Sequence, residues 1–165
     1  MTLIITKIRD SISSSVKNML DELSYIPEKE KIFIKPNIAI PTWPSSPYIT
    51  NPHVVAGIID YLHEKGFHDI VVGEGPVPID FPVEETFAVC GYRDMCLEKG
   101  VDMVNLDLLT EKKINDLISL PGIVFEREYI NVSKLKTHYQ TTVSLGLKNQ
   151  KGLLSPGNKN LFHRN

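Results

Sequence analysis

The C-terminal part of this 165-residue chain concentrates positive charge. Residues 129–165, called here the basic segment, contain six Lys and Arg and no Asp or Glu, whereas residues 1–128 contain the other 12 cations and all 20 acids. Lysines without nearby carboxylates create a positive potential that suits a phosphate, a carboxylate or an anionic cluster. The basic segment therefore predicts an anion-binding site, in which the ligand's charge is neutralised by Lys134, Lys136, Lys148 and Lys151. Alternatively, these lysines pair with the surplus acids of residues 1–128 and only neutralise the fold.

His138 lies within the lysine-rich stretch KLKTHYQTTVSLGLKNQKG at residues 134–152. An imidazole titrates near neutral pH, which suits general acid–base catalysis. We therefore predict that His138 transfers the proton in a reaction at this site, and that His138→Ala abolishes turnover while leaving ligand binding mostly intact. A lone histidine is more often structural, and that interpretation stays open.

Polar side chains also follow the predicted buried strands. The strand at 31–35 runs into Lys35-Pro36-Asn37, and the strand at 69–73 runs into Glu74. In an open parallel sheet, ligands bind outside the carboxyl ends of the strands. Asn37 and Asn149 are expected to orient the ligand there. The side chains expected along this rim are Lys35, Asn37, Glu74, Asn105, Lys134, Lys136 and His138.

Apolar periodicity and the placement of proline and glycine predict the elements that carry these residues. Five prolines between residues 36 and 52 indicate a stiff loop. Alternation of strands and helices predicts an α/β fold with a mainly parallel sheet, helices on its faces and Rossmann-like layering. Helices are expected at about 11–24, 52–66, 83–99 (interrupted at Gly91) and 110–118. Strands are expected at 31–35, 69–73, 101–104 and 122–126, with a weaker edge strand at 2–8. Residues 128–133 either extend the strand at 122–126 or form a strand of their own.

Composition argues against several classes of protein. Cys90 and Cys96 are too few for a disulfide framework or a four-cysteine iron–sulfur site, so we expect two core thiols. No apolar run is long enough to span a bilayer and the N-terminus lacks a secretory signal, which predicts a cytoplasmic location. Aromatic residues near the cations are too few for a nucleic-acid stacking platform. Dinucleotide, P-loop, zinc-protease and nucleophile-elbow motifs are absent from the sequence.

A set of short motifs resembles the domain of unknown function 362 family. The motifs are KPN at 35–37, Thr50-Asn51-Pro52, GEGP at 73–76, Gly91-Tyr92, NVSKLKTHYQTTVSLGLKNQKG at 131–152 and FHR at 162–164. Members are uncharacterised, and some carry an added ferredoxin-like segment that binds iron–sulfur clusters. The chain lacks the cysteine runs of that segment, so the resemblance implies no cluster held by its own cysteines.

The resemblance carries residue positions but no catalytic roles. Relatives continue beyond the FHR motif, so we expect residues 1–165 to form a single α/β domain that is incomplete at its C-terminal end. The positions that match the family are Lys35, Asn37, Glu74, Lys134, Lys136, His138, Lys148, Asn149, Lys151, Lys159 and His163.

Three functional hypotheses remain from the sequence. The first is an anion-binding domain, part of an enzyme that acts on a small anionic metabolite or redox cofactor. The second is a non-catalytic accessory or redox-partner module that docks an acidic or iron–sulfur protein through the basic segment. The third is a metal site formed by Glu74, His138 and His163, which no metal-ligand spacing in the sequence supports. The sequence assigns no metal, no specific cofactor and no oligomeric state.

Overall fold

The structure, a computed structural model, describes residues 2–75, 81–138, 142–155 and 158–159. The helices within these residues are α1 (Ile12–Glu22), α2 (Pro52–Glu64), α3 (Val83–Val89), α4 (Tyr92–Lys99), α5 (Ile123–Glu126) and α6 (Gly146–Asn149), with 3₁₀-helices at Leu106–Leu108 and Gln150–Leu153. The strands are β1 (Lys31–Pro36), β2 (Asp69–Glu74), β3 (Asp102–Asn105), β4 (Glu111–Lys113), β5 (Ser119–Pro121), β6 (Glu128–Val132), β7 (Lys136–His138) and β8 (Thr142–Ser144).

Four parallel strands form the central sheet of the described residues, in the order β3-β2-β1-β6. In β1, Ile32, Phe33 and Ile34 are all fully buried. A run of consecutive buried apolar residues is typical of a parallel strand that is covered on both faces. The α/β fold with Rossmann-like layering predicted from the sequence is therefore confirmed.

The two faces of the sheet have separate cores. On one face, Ile32, Ile34 and Val72 join a cluster to which α2 contributes Val55, Ile59 and Leu62 and α4 contributes Met95 and Cys96. On the other face, Phe33 packs with Leu106 and Leu153, supported by residues of the connection between β3 and β6. Because side chains alternate along a strand, the sequence of β1 supplies both cores at once.

Local signals fix the ends of the helices around the sheet. The Asn51 side chain accepts a hydrogen bond from the His53 amide, and Pro52 occupies the first turn of α2, where its missing N–H is not needed. Gly91 (φ 76°) separates α3 from α4 and Gly100 (φ 66°) ends α4, both in the left-handed region. The predicted interruption at Gly91 is confirmed.

Residues 110–126 differ from the prediction. The expected helix at 110–118 is wrong, because β4 and β5 form an antiparallel hairpin there. Asn115 causes the turn: its side-chain oxygen accepts hydrogen bonds from the amides of Leu117 and Ile118, an arrangement that competes with helix formation. The expected strand at 122–126 is also wrong, since these residues include the short helix α5. Residues 2–8 form no strand either.

The order of the strands identifies where the topology reverses. From β1 the chain moves to β2 and then to β3 on one side, whereas β6 pairs with the opposite side of β1. The crevice outside the carboxyl ends of β1 and β6 is therefore the switch point at which open α/β sheets bind ligands. Lys35 of β1 and Asn131 of β6 are register partners at this end.

Candidate functional site

Thr50 joins the two strands that flank the switch point. Its hydroxyl donates to the Val132 carbonyl at the end of β6 (2.7 Å) and accepts from the Asn37 amide just after β1 (3.1 Å). The Thr50 amide in turn donates to the Asn37 carbonyl (2.9 Å). Thr50 belongs to the proline-rich loop and is buried, so its hydrogen bonds hold the loop across the mouth of the crevice.

Lys35 and Glu74 form a buried ion pair at the carboxyl edge. The Lys35 Nζ lies 2.5 Å from Glu74 Oε1, and the two side chains are 0% and 4% exposed. Glu74 also accepts from the amides of Ile38 (3.1 Å) and Gly75 (2.9 Å). Burial lowers the pKa of Lys35, and the Glu74 carboxylate opposes that shift. A buried pair of this kind is stable only because further hydrogen bonds complete it.

Asn149 completes the ion pair from the basic segment. Its side-chain oxygen accepts from Lys35 Nζ (3.2 Å), and its amide nitrogen donates to Asn131 Oδ1 (2.7 Å). Asn131 donates onward to the Gly146 carbonyl (2.9 Å). This chain of bonds holds α6 directly over the ends of β1 and β6.

Gly152 covers the same ion pair with backbone alone. A Cβ at Gly152 would overlap Glu74 Oε1 and would lie only 2.6 Å from Lys35 Nζ. Gly75 makes the matching approach from the sheet, because a Cβ there would overlap the Gly152 carbonyl oxygen. The absence of a side chain at each position lets the basic segment close on the carboxyl edge.

A second charged contact lies at the end of β3. Lys159 Nζ is 3.9 Å from Asp107 Oδ1, and both side chains are mostly buried. Burial raises the pKa of Asp107 and lowers that of Lys159. Asn105 lies at the carboxyl edge as expected, since it is the register partner of Glu74, and its side chain accepts a hydrogen bond from the Asp107 amide and caps the following 3₁₀-helix.

Lys136 reaches the crevice from the ribbon formed by β7 and β8. Its ammonium donates to Asn37 Oδ1 (2.7 Å) and to the carbonyl of Tyr48. Burial lowers its pKa, as do the ammonium groups of Lys148 and Lys134, whereas Glu74 raises it. Within the described residues, no carboxylate lies within 4 Å of this ammonium.

Lys148 extends the cluster of cations. Burial and the neighbouring Lys151 lower the pKa of Lys148. Since Lys148 also acts on Lys136, the three ammonium groups form one region of positive potential that Lys134 adjoins. We call Lys134, Lys136, Lys148 and Lys151 the lysine cluster. The alternative that these lysines serve to pair with acids gains no support at Lys134, Lys136 or Lys148, which have no ion pair in the described chain.

His138 ends β7, where it is the register partner of Thr142 on β8, and it is partly buried. It shares its short strand with Lys136, two residues away, so both residues project from the same side of the ribbon. His163, the other histidine of the basic segment, lies outside the described residues.

Five of the predicted site residues form two bonded groups. Lys35 bonds to both Glu74 and Asn149 in the buried floor, whereas Asn37 and Lys136 meet above it. Sequence reasoning gave no site role to Thr50, Asn131 or Gly152. The only signals were their positions inside or beside the TNP and NVSK…NQKG motifs.

The remaining polar groups offer no metal centre in the part of the chain that the structure describes. No group of three or more His, Cys, Asp or Glu residues there is arranged to hold a metal ion. Cys90 and Cys96 are buried in the core, as expected for core thiols. Burial raises the pKa of both thiols, that of Cys96 to about 12. None of the described helices is long and apolar enough to cross a bilayer.

The family model described as "Domain of unknown function (DUF362)" matches residues 32–165, which include both strands of the switch point and the whole basic segment. The chain belongs to the DUF362 family. This confirms the resemblance found in the sequence motifs.

One curated relative of this DUF362 chain is the "Thylakoid-associated protein sll1697" of Synechocystis sp., which is 24% identical over 163 residues. The match covers 93% of the chain and 49% of the relative, so the chain spans about half the length of that protein. No solved structure matches the chain significantly.

Proposed function

We propose that this DUF362 chain binds a small anion, a phosphate or carboxylate group, at Lys136 and Lys148 above the switch point. The site would belong to an enzyme that acts on a small anionic metabolite or redox cofactor. The proposal rests on the place and bonding of Lys136.

The hydrogen bonds of Lys136 leave one of its N–H donors available to a ligand. An ammonium group has three N–H donors. In the described residues, Asn37 and the Tyr48 carbonyl take two of them, and both acceptors are neutral. One donor and a full positive charge thus remain at the rim of the crevice. An anionic oxygen would satisfy both with a charge-assisted hydrogen bond.

The electrostatics of the lysine cluster favour the same conclusion. Burial lowers the pKa of Lys136, and the charges of Lys148 and Lys134 lower it further. Burial also lowers the pKa of Lys148, to which the charge of Lys151 adds. Placing like charges together costs stability unless a counter-charge is present. A bound anion would offset this repulsion, which contributes favourably to the free energy of ligand binding.

The other predicted residues receive distinct roles in this proposal. Lys35, Glu74 and Asn149 form a rigid floor, and Asn37 holds the Lys136 ammonium in place. Lys134 and Lys151 add positive potential. His138, which shares a face with Lys136, would be the proton-transfer residue.

The test is isothermal titration of the protein with inorganic phosphate. We expect Lys136→Gln to weaken phosphate binding by about tenfold or more, because a hydrogen bond to a charged group contributes roughly 1.5–3 kcal/mol. Lys31→Gln is the matched control, since Lys31 lies exposed at the opposite end of β1. His138→Ala should keep the affinity of the unaltered protein. Equal binding by the Lys136 and Lys31 variants would contradict the proposal.

The non-catalytic alternative, docking of an acidic or iron–sulfur protein, draws support from the exposed Leu135 and Leu147 beside the lysines. It predicts no phosphate binding by the isolated chain and a partner affinity that falls steeply with salt. The cytoplasmic location stays a prediction, because the relative is described as thylakoid-associated.

A further inference from the structure

An open apolar groove adjoins the lysine cluster. It has a volume of about 430 Å³ and is lined by Val143, Leu145, Gly146, Leu147 and Lys148. This volume lies within the range of roughly 300–1,000 Å³ that small-molecule sites occupy. Four of its five lining residues carry no polar side-chain atom, and the fifth is a member of the lysine cluster.

The leucines of this groove are open to solvent. Leu147 is 87% exposed and Leu145 is 50% exposed, although both belong to the segment that closes on the carboxyl edge. Their neighbour Asn149 is buried and fully bonded, so the backbone of this segment is held firmly while its leucines face outward. Adjacent exposed aliphatic side chains that line a concave surface are suited to bind an apolar group.

Lys148 connects the groove to the anion site. It lines the groove, its charge acts on the ammonium of Lys136, and the charge of Lys151 acts on it in turn. Residues 129–165 contain no Asp or Glu. A ligand with its charged group at Lys136 and Lys148 would therefore extend any attached chain along Leu145 and Leu147.

We infer that the ligand is an amphiphilic anion, in which a phosphate or carboxylate head is joined to an aliphatic chain. This inference rests on the proposed function, because the lysine cluster must hold the head. The groove would make such a ligand bind more tightly than inorganic phosphate, which has no aliphatic chain to bury there. Each methylene group that it buries contributes about 0.8 kcal/mol, which corresponds to about a fourfold gain in affinity.

The experiment is a titration of the protein with a series of alkyl phosphates from ethyl to octyl, each kept below its critical micelle concentration. We expect the affinity to rise by up to about fourfold per added methylene until the groove is filled. Leu147→Gln should flatten this dependence on chain length without changing the affinity for inorganic phosphate. Leu97→Gln is the matched control, because Leu97 is 81% exposed on α4 and does not line the groove.

The same variants distinguish a free amphiphile from a lipid headgroup. Vesicles made of equal parts phosphatidylglycerol and phosphatidylcholine are sedimented with the protein, with pure phosphatidylcholine vesicles as reference. Co-sedimentation that needs phosphatidylglycerol and is reduced by Leu147→Gln assigns the groove to lipid. A chain-length dependence in solution without co-sedimentation assigns it to a free amphiphile.

The two proposals can fail separately. If inorganic phosphate binds through Lys136 but octyl phosphate binds no more tightly, and vesicles do not bind through Leu147, the groove inference is overturned and the anion site stands. If neither phosphate nor any alkyl phosphate binds, the proposed function itself fails.

Discussion

The ammonium group of Lys35 lies 2.5 Å from the carboxylate of Glu74, and the two residues belong to adjacent parallel strands of the central sheet. Both side chains are buried beneath Gly152, and Asn149 bonds to Lys35 from the basic segment. The pair thus joins the sheet to the segment that carries the lysine cluster. Its main effect is on structure, because neither charge reaches solvent.

Glu74→Gln is expected to lower the free energy of unfolding by about 3–5 kcal/mol, since it leaves the buried Lys35 charge without its counter-ion. Chemical denaturation measures the loss. The double variant Lys35→Met with Glu74→Gln should recover much of it, because neither charge is then buried. As a control, Asp21→Asn removes an exposed ion pair with Lys65 and should cost less than about 1 kcal/mol. A Glu74→Gln protein as stable as the Asp21→Asn protein would show that the pair is not a structural anchor.

Gly152→Ala should destabilise the protein by about 1–3 kcal/mol, because its methyl group would overlap the Glu74 carboxylate. Gly146→Ala is the control from the same segment, since a Cβ there would meet only Asn131 Nδ2, at 3.7 Å. Thermal and chemical unfolding of the two variants compare the costs. Equal stability of both would mean that the segment does not rest on the ion pair.

Thr50→Val should cost about 1–3 kcal/mol, because it removes the hydroxyl that serves the Asn37 amide and the Val132 carbonyl. Thr50→Ser keeps the hydroxyl and should retain most of the stability. The Lys136–Asn37 contact lies next to this bridge, so Thr50→Val should also weaken phosphate binding. An unchanged phosphate affinity of the Thr50→Val protein would show that the Thr50 hydrogen bonds do not position the phosphate site.

Tyr129→Phe is expected to leave stability unchanged or to raise it by about 1 kcal/mol. The Tyr129 hydroxyl is buried without a hydrogen-bond partner among the described residues, while its ring stacks on Phe33 and would be kept. Tyr92→Phe is the opposite case, because that hydroxyl donates to the Thr50 carbonyl at 2.9 Å, and its loss should be destabilising. Denaturation curves of the two variants that shift in the same direction would refute this assignment.

The affinity for sulfate, which stays a dianion over the relevant range, should fall as the pH rises. Burial and, to a smaller extent, the neighbouring cations lower the pKa of Lys136, whereas a bound anion would raise it again. Binding is therefore strongest below the pKa of Lys136 in the free protein, and it weakens as the pH rises through that value towards 10.5. Lys136→Arg, which keeps its charge, should flatten this dependence. Identical pH profiles for the two proteins would exclude Lys136 as the titrating group.

The sheet could be predicted from the sequence because its strands are buried on both faces. Ile32–Ile34 and Ile70–Val72 are runs of apolar residues bounded by Pro and Gly, and such runs have few other stable arrangements. The hairpin of β4 and β5 could not, because Glu111, Lys112 and Lys113 are exposed and show no periodicity. There, hydrogen bonds from the Asn115 side chain decided the conformation.

The candidate site was predicted only as a set of residues. The rule that polar side chains gather at the carboxyl ends of parallel strands correctly placed Lys35, Asn37 and Glu74 at one edge. Which of them bond to each other was not readable, because Lys35 and Asn149 are 114 positions apart in the chain. No local pattern marks Gly152 as the residue that covers their ion pair.

The sequence by itself determined the α/β fold, the family and the separation of an acidic body from an acid-free basic segment. These follow from local composition and periodicity, which do not depend on distant contacts. Only the tertiary structure decided that Lys35 and Glu74 neutralise each other while Lys136 and Lys148 have no carboxylate partner among the described residues. The physical reason is desolvation: two charges buried under Gly152 must pair with each other, whereas ammonium groups at the partly exposed rim do not need a counter-ion within the protein.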